Sequence, residues 1–117
     1  MWAWGDNGFG KLGLGDSINR SSPVQIGSSS YTAISAGGNH SLSIDINGNL
    51  YGWGNGTSGQ IGDGTTINKS SPVQIGTSSW IQISSTSGSI YAIRTDGALF
   101  AWGLNSSGDL GDNTTVN

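Results

Sequence analysis

Cysteine and glutamate are both missing from this 117-residue chain, and histidine and methionine occur once each. With no thiol there is no disulfide and no thiolate metal site, although this alone does not fix the compartment. With no Glu, the polar positions fall to Asp, Asn, Ser, Thr and Gly, which favour turns and caps over long helices. Basic residues are scarce: Lys11, Arg20, Lys69 and Arg94 stand alone against seven Asp, for a net charge of −3. No basic cluster exists, which argues against nucleic acid as a partner. No apolar run approaches the roughly 18 residues of a membrane span, and no signal peptide opens the chain. Apolar residues make up only 33% of the sequence, little surface with which to offset the entropy of ordering so flexible a chain.

What is present is glycine, 21 residues of it, together with five Trp. Their positions are periodic. Trp4, Trp53 and Trp102 lie 49 residues apart, as do Gly10, Gly59 and Gly108. Ser21-Ser22-Pro23-Val24-Gln25-Ile26-Gly27 returns unchanged from Ser70 to Gly76. Laying residues 1–68 over 50–117 needs no gap and gives 30 identities. A fixed period of that length marks a solenoid or propeller, in which each unit buries its apolar face against a neighbour. The units are residues 1–19 (a partial repeat with a Gly-rich loop), 20–68 (a full repeat with its following loop) and 69–117 (a second). Met1 stands where the repeat places Leu50 and Leu99, so the sequence opens inside a strand and is expected to be a segment of a larger array.

Each period carries four strand candidates. They are Val24–Ile26, Tyr31–Ser35, Ser41–Ile46 and Leu50–Trp53, then Val73–Ile75, Trp80–Ser84, Ile90–Thr95 and Leu99–Trp102. The alternation Leu42-Ser43-Ile44-Asp45-Ile46 predicts a half-buried strand. Asn47-Gly48 and Asp96-Gly97 predict hairpins joining the third and fourth strands, because both turn residues tolerate positive φ. Pro23 and Pro72 suit the first residue of an edge strand, where no amide is needed. Four strands per period predict an all-β propeller of four-stranded antiparallel blades: two blades and part of a third.

Several spaced motifs carry a resemblance. Trp4-Gly5 with Gly10-Lys11-Leu12-Gly13, Trp53-Gly54 with Gly59-Gln60-Ile61-Gly62, and Trp102-Gly103 with Gly108-Asp109-Leu110-Gly111 recur beside the Pro-Val-Gln-Ile segments. With Ala36-Gly37-Gly38-Asn39-His40-Ser41 they resemble the RCC1 (regulator of chromosome condensation) repeat over nearly the whole chain. The resemblance implies a seven-bladed propeller for a complete array. It implies no single function, because similar repeats serve exchange factors, ubiquitin-ligase modules, enzyme inhibitors and surface proteins. The second unit departs from the pattern, with Ser85-Thr86-Ser87-Gly88-Ser89 replacing the Ala-Gly-Gly-Asn-His stretch.

No residues form a catalytic, cofactor or metal constellation. His40 is the only histidine; a catalytic base needs a nucleophile or an orienting partner and a metal site needs further ligands, so it is expected to make a structural hydrogen bond between blades. Gly8 to Gly13 matches G-x-G-x-x-G and Gly5 to Lys11 spells G-x-x-x-x-G-K, but Leu12 stands where the second motif needs Ser or Thr, and neither is followed by a helix. Asp45-Ile46-Asn47-Gly48-Asn49 opens like a calcium loop without the acidic twelfth position. Asp63-Gly64 and Asp112-Asn113 read as turns. The sequons at Asn55 and Asn105 follow from composition. The recurring Trp, with Tyr31 and Trp80, are expected to pack between blades. The expected function is therefore a non-enzymatic structural or protein-binding module. Its Ser-, Thr-, Asn- and Gly-rich texture suits a bacterial or phage surface, virion or extracellular setting better than the cytoplasm. The alternative is an intracellular regulator or enzyme inhibitor that offers one propeller face to a partner. Expressed alone, the chain is expected to self-associate or bind further blades through its strand edges.

Overall fold

A computed structural model describes all 117 residues. Nine strands follow in order: β1 (Trp2–Gly5), β2 (Arg20–Gln25), β3 (Tyr31–Ala36), β4 (His40–Asp45), β5 (Leu50–Gly54), β6 (Lys69–Gln74), β7 (Trp80–Ser85), β8 (Ser89–Arg94) and β9 (Leu99–Gly103). The only helical element is a 3-10 turn at Gly8–Gly10. The strands form three antiparallel sheets, β1-β2, β3-β4-β5-β6 and β7-β8-β9. The middle sheet is a complete four-stranded blade, and it is flanked by parts of two others.

The phase of the sheets differs from the simplest reading of the repeat. The Pro-Val-Gln strand does not pair with the strand that follows it. β2 pairs back onto β1, through Trp2–Gln25 and Ala3–Val24, and β6 pairs back onto β5, through Tyr51–Gln74 and Gly52–Val73. The first two sheets thus take their last strand from the next sequence unit. Pro23 and Pro72 do lie on edge strands, but at the fourth position of six. Pairing jumps from Val73–Gly52 to Lys69–Gly54, so the irregularity spans Pro72 and its missing amide costs no ladder bond.

The hairpins are present with a different turn. Gly48 donates its amide to Asp45 O, and Asp45 donates to Asn49 O, giving a longer loop. Among its residues only Gly48 has positive φ, at 83°, and Gly97 repeats this at 85°. Asn47 and Asp96 therefore stay out of the left-handed region, as in hairpin loops that end on one left-handed glycine. β4 is also more buried than its alternation implies. His40, Leu42, Ser43, Ile44 and Asp45 are all buried, because this strand is covered on both faces, while Ile46 is exposed.

The core lies between blades rather than within one. Leu42, Ile44 and Leu50 of the middle sheet meet Trp80, Ile90 and Ala92 of the next, joined by Ile61 and Ile75 from connecting segments. At about 25 cal/mol per Å² of apolar surface, burying each large side chain contributes on the order of 2 kcal/mol, so this shared seam carries most of the apolar stabilisation.

Candidate functional site

The sequence motifs meet at the joints between blades. Trp53 Nε1 donates to Lys11 O at 2.9 Å, and Trp102 Nε1 donates to Gln60 O at 3.2 Å. Each indole thus reaches back to the Gly-rich loop of the preceding unit. Gly13 and Gly62, with φ of 74° and 85°, lie beneath the rings. A Cβ at Gly13 would sit 2.8 Å from Trp53 Nε1, and one at Gly62 only 2.6 Å from Trp102 Nε1. Trp53 is buried at 2% exposure, whereas Trp4, with no loop in the corresponding position, is 59% exposed. The expectation of packing between blades therefore describes Trp53 and Trp102 and not Trp4.

The other recurrent glycines have three roles. Gly5, Gly54 and Gly103 close their strands with φ near 100°, and behind two of them Asn55 N and Leu104 N donate back to Asn39 O and Gly88 O. Gly48 and Gly97 make the hairpins. Gly10, Gly59 and Gly108 turn the loop, and each donates its amide to the residue three before it. Gly111 ends the third loop, again with positive φ.

Two residues organise these loops, Asn7, which no sequence motif singles out, and Asn105, read from sequence only as a sequon. Asn7 and Asn105 are fully buried. Asn7 accepts from Leu12 N and donates to Asp16, while Asn105 accepts from Leu110 N and donates to Asp112, Thr114 and Val116. They lie two periods apart with Gly56 between them, so the single-period comparison passes over them. The Asn105 sequon is consequently an internal scaffold residue. The phosphate-loop match is spent in the same way: Leu12, Gly13 and Gly15 direct their amides to Asn7 Oδ1, Gly10 O and Ser70 O.

His40 departs from its expected role. Its side chain is buried at 1% exposure against Gly37 and the backbone of Thr86, and neither ring nitrogen has a hydrogen-bond partner. Loss of water around the ring lowers its pKa below the ordinary histidine value. Ser89, its counterpart, instead donates its hydroxyl to Leu104 O. The Asp residues serve turns. Burial pushes the Asp45 carboxyl up, but hydrogen bonds from Asn49, Asn47 and Tyr51 outweigh it and leave the pKa low. One unit later the arrangement is inverted: Arg94 pairs with Asp96 and lies 5.0 Å over the Phe100 ring. All four cations have local partners, Lys11 with Asp6, Arg20 with Asp16, Lys69 with Asp63 and Arg94 with Asp96.

Two open surfaces remain. β1 has a free edge beside exposed Trp2 and Trp4, above an apolar hollow reaching Leu12, Ile34 and Leu42. β9 has a free edge beside a cavity of about 640 Å³ lined by Ile75, Trp80, Phe100 and Trp102 on one side and Gly59 and Gly64 on the other. Trp80 packs edge-on to Phe100 at 5.3 Å, and its indole N–H is buried without a partner.

Comparison with known proteins bears on this arrangement. The family profile described as "Regulator of chromosome condensation (RCC1) repeat" matches residues 1–44 and 47–93, and a second RCC1 repeat profile matches 31–60. No curated protein sequence matches the chain. Among solved structures, yeast RCC1 (Prp20) bound to Kap60 superposes with a TM-score of 0.88 at 19% identity, covering 99% of this chain and 31% of that one. Prp20p from Saccharomyces cerevisiae, described with its binding properties to Gsp1p and histones, gives 0.88 at 20% identity, covering 98% and 32%. Human WBSCR16 gives 0.77 at 28% identity, covering 99% and 33%. The chain spans about a third of the length of each.

Proposed function

The chain belongs to the regulator of chromosome condensation (RCC1) repeat family, and from that premise we propose that it works as a non-enzymatic structural and protein-binding module, a segment of an RCC1-like propeller. The open edges of β1 and β9, where the two flanking sheets fall short of the four strands of the middle one, carry this reading. An unpaired edge presents backbone donors and acceptors that another strand can satisfy, and both edges here adjoin apolar surface. The repeat units 1–19, 20–68 and 69–117 would then be joined to further blades or to other copies through those edges. Structural relatives described with protein partners support this reading.

A surface, virion or extracellular setting is the finer part of the proposal. It is supported by the Ser-, Thr-, Asn- and Gly-rich loops and by cations that are few and all engaged locally. Light scattering on the purified 117-residue chain tests the central claim. The mass is expected to rise above that of a monomer with concentration. A monomer at every concentration would overturn it. For the setting, antibody labelling of intact source cells or particles is expected to be positive without permeabilisation, and labelling that requires permeabilisation would overturn that part.

A further inference from the structure

A hollow of about 400 Å³ lies where the Gly-rich loop of the first unit meets the start of β6. Phe9, Gly10, Asp16 and Ser17 line it on one side, Asn68 and Ser70 on the other. Gly10 lets the strand pass, since a Cβ there would sit 2.5 Å from Ser70 Cα, and Gly15 N donates to Ser70 O at 2.8 Å. Both walls lie within residues 9–70, so the hollow does not depend on either end of the sequence. By the repeat, the loop of a unit before it would lie against Asn19 and Ser21, the counterparts of Asn68 and Ser70.

One wall breaks the repeat. The second and third units carry Ser58 and Ser107 where the first carries Phe9. Phe9 alone of the three is left-handed, with φ of 64° and ψ of 7°. A bulky side chain is strained in that region, and the ring gains little from packing, being 47% exposed. The same turn forms twice with serine, so the scaffold does not require an aromatic here. Strain kept at one unit and not offset by burial is the mark of a residue that faces a ligand.

The other wall says what kind of ligand. The Asp16 carboxylate is already engaged by Asn7 Nδ2, Ile18 N and Arg20. Lys69, beside Asn68, is held by Asp63. No free charge is left for an anion or a cation. Asn68 Oδ1 accepts from Gly56 N, which leaves its Nδ2 and the hydroxyls of Ser17 and Ser70 without partners in the chain. A purely apolar ligand would leave these groups unsatisfied. One aromatic face beside neutral hydroxyls and an amide suits a sugar ring, whose C–H face meets the π-cloud while its hydroxyls bond outward.

We propose that this hollow binds a neutral hexopyranose, free or as one residue of a glycan. The Phe9 ring stacks on the C–H face, Asn68 Nδ2 donates to a sugar hydroxyl, and Ser17 and Ser70 bond at the rim. The site is independent of the strand edges and stands or falls apart from them.

Amide chemical shifts of the 117-residue chain test it, with the methyl glycosides of glucose, galactose, mannose and N-acetylglucosamine each added to about 50 mM, enough to populate a weak one-ring complex. At least one is expected to shift Gly8–Gly10, Ser17 and Asn68 together, with a Kd on the order of 1–10 mM. Phe9→Ser writes the second unit's residue into the first, so it should keep the fold and weaken binding at least about tenfold. Phe9→Leu, apolar but without a π-face, should bind as poorly, and Phe9→Tyr should bind like the parent chain. The unchanged spectrum beyond the loop confirms that each variant is folded. No shift at these amides with any of the four sugars overturns the proposal. So do shifts confined to Trp2 and Trp4, or binding that Phe9→Ser and Phe9→Leu leave intact.

Discussion

Gly59 and Gly62 belong to the same turn and both carry positive φ, but only Gly62 lies under an indole. The two positions separate backbone cost from packing cost. Gly59→Ala should cost about 1–2 kcal/mol in a dilute monomer, the left-handed penalty alone. Gly62→Ala should cost about 1–3 kcal/mol more, since Trp102 must shift and its bond to Gln60 O stretch. Urea titrations of both variants check the order, and equal losses would remove the packing argument. His40 predicts a pH effect. Burial lowers its pKa, so the unfolded chain binds the proton more readily than the folded one. That stability is complete above the free-histidine value of about 6.5 and falls as pH drops through it. The loss should reach Asp pKa values only near pH 4 and below, where the hydrogen-bonded turn carboxylates begin to protonate. His40→Leu should flatten the urea midpoint between about pH 4.5 and 6.5, and an unchanged slope would show that the ring is solvated.

At the scale of elements, the two hairpin ends solve one problem with opposite charges. Asp45 with Tyr51 becomes Arg94 with Phe100 in the next unit, while Asp96 takes over the carboxylate's place by accepting from Ala98 N. The Arg94 hydrogen bond, followed by that amide, lowers the Asp96 pKa to about 2. Its contribution is present above the usual Asp range and is lost as pH falls toward 2. Asp45→Arg should lower the melting temperature more than Arg94→Asp, because the first change strips acceptors from two backbone amides, Asn47 N and Asn49 N. Similar losses would mean that these bonds contribute little. These ends also show what the sequence made legible. The period, the strands and the glycine-tryptophan pairs could be read because packing between identical units demands identical residues. The turn type, the strand burial and the two-period Asn7–Asn105 relation could not. They depend on which neighbour covers a face, and 49-residue self-comparison hides positions where alternate units differ. The unpartnered His40 escaped for the same reason, since Thr86 belongs to the other blade.

For the whole molecule, the seam between sheets makes stability a sum over neighbours. Removing residues 20–68 joins equivalent positions, so the chain should keep its β-sheet spectrum per residue and melt lower for want of one interface. Inserting another copy of those residues should raise the melting temperature. A shortened chain that loses its sheet signal altogether would mean that the blades fold as one indivisible unit. The extents of 42 × 29 × 19 Å suit a slice of an annular stack with an open flank at either end.

The offset between sheet and sequence unit has one more consequence. β5 and β6 share a sheet but are separated by the long 55–68 connection. A protease nick there would divide the polypeptide without parting it: the C-terminal fragment keeps β6 laced into the N-terminal fragment's sheet, like a spliced rope. The halves should co-elute on a sizing column until denatured, so cleavage within this connection need not end the molecule's working life.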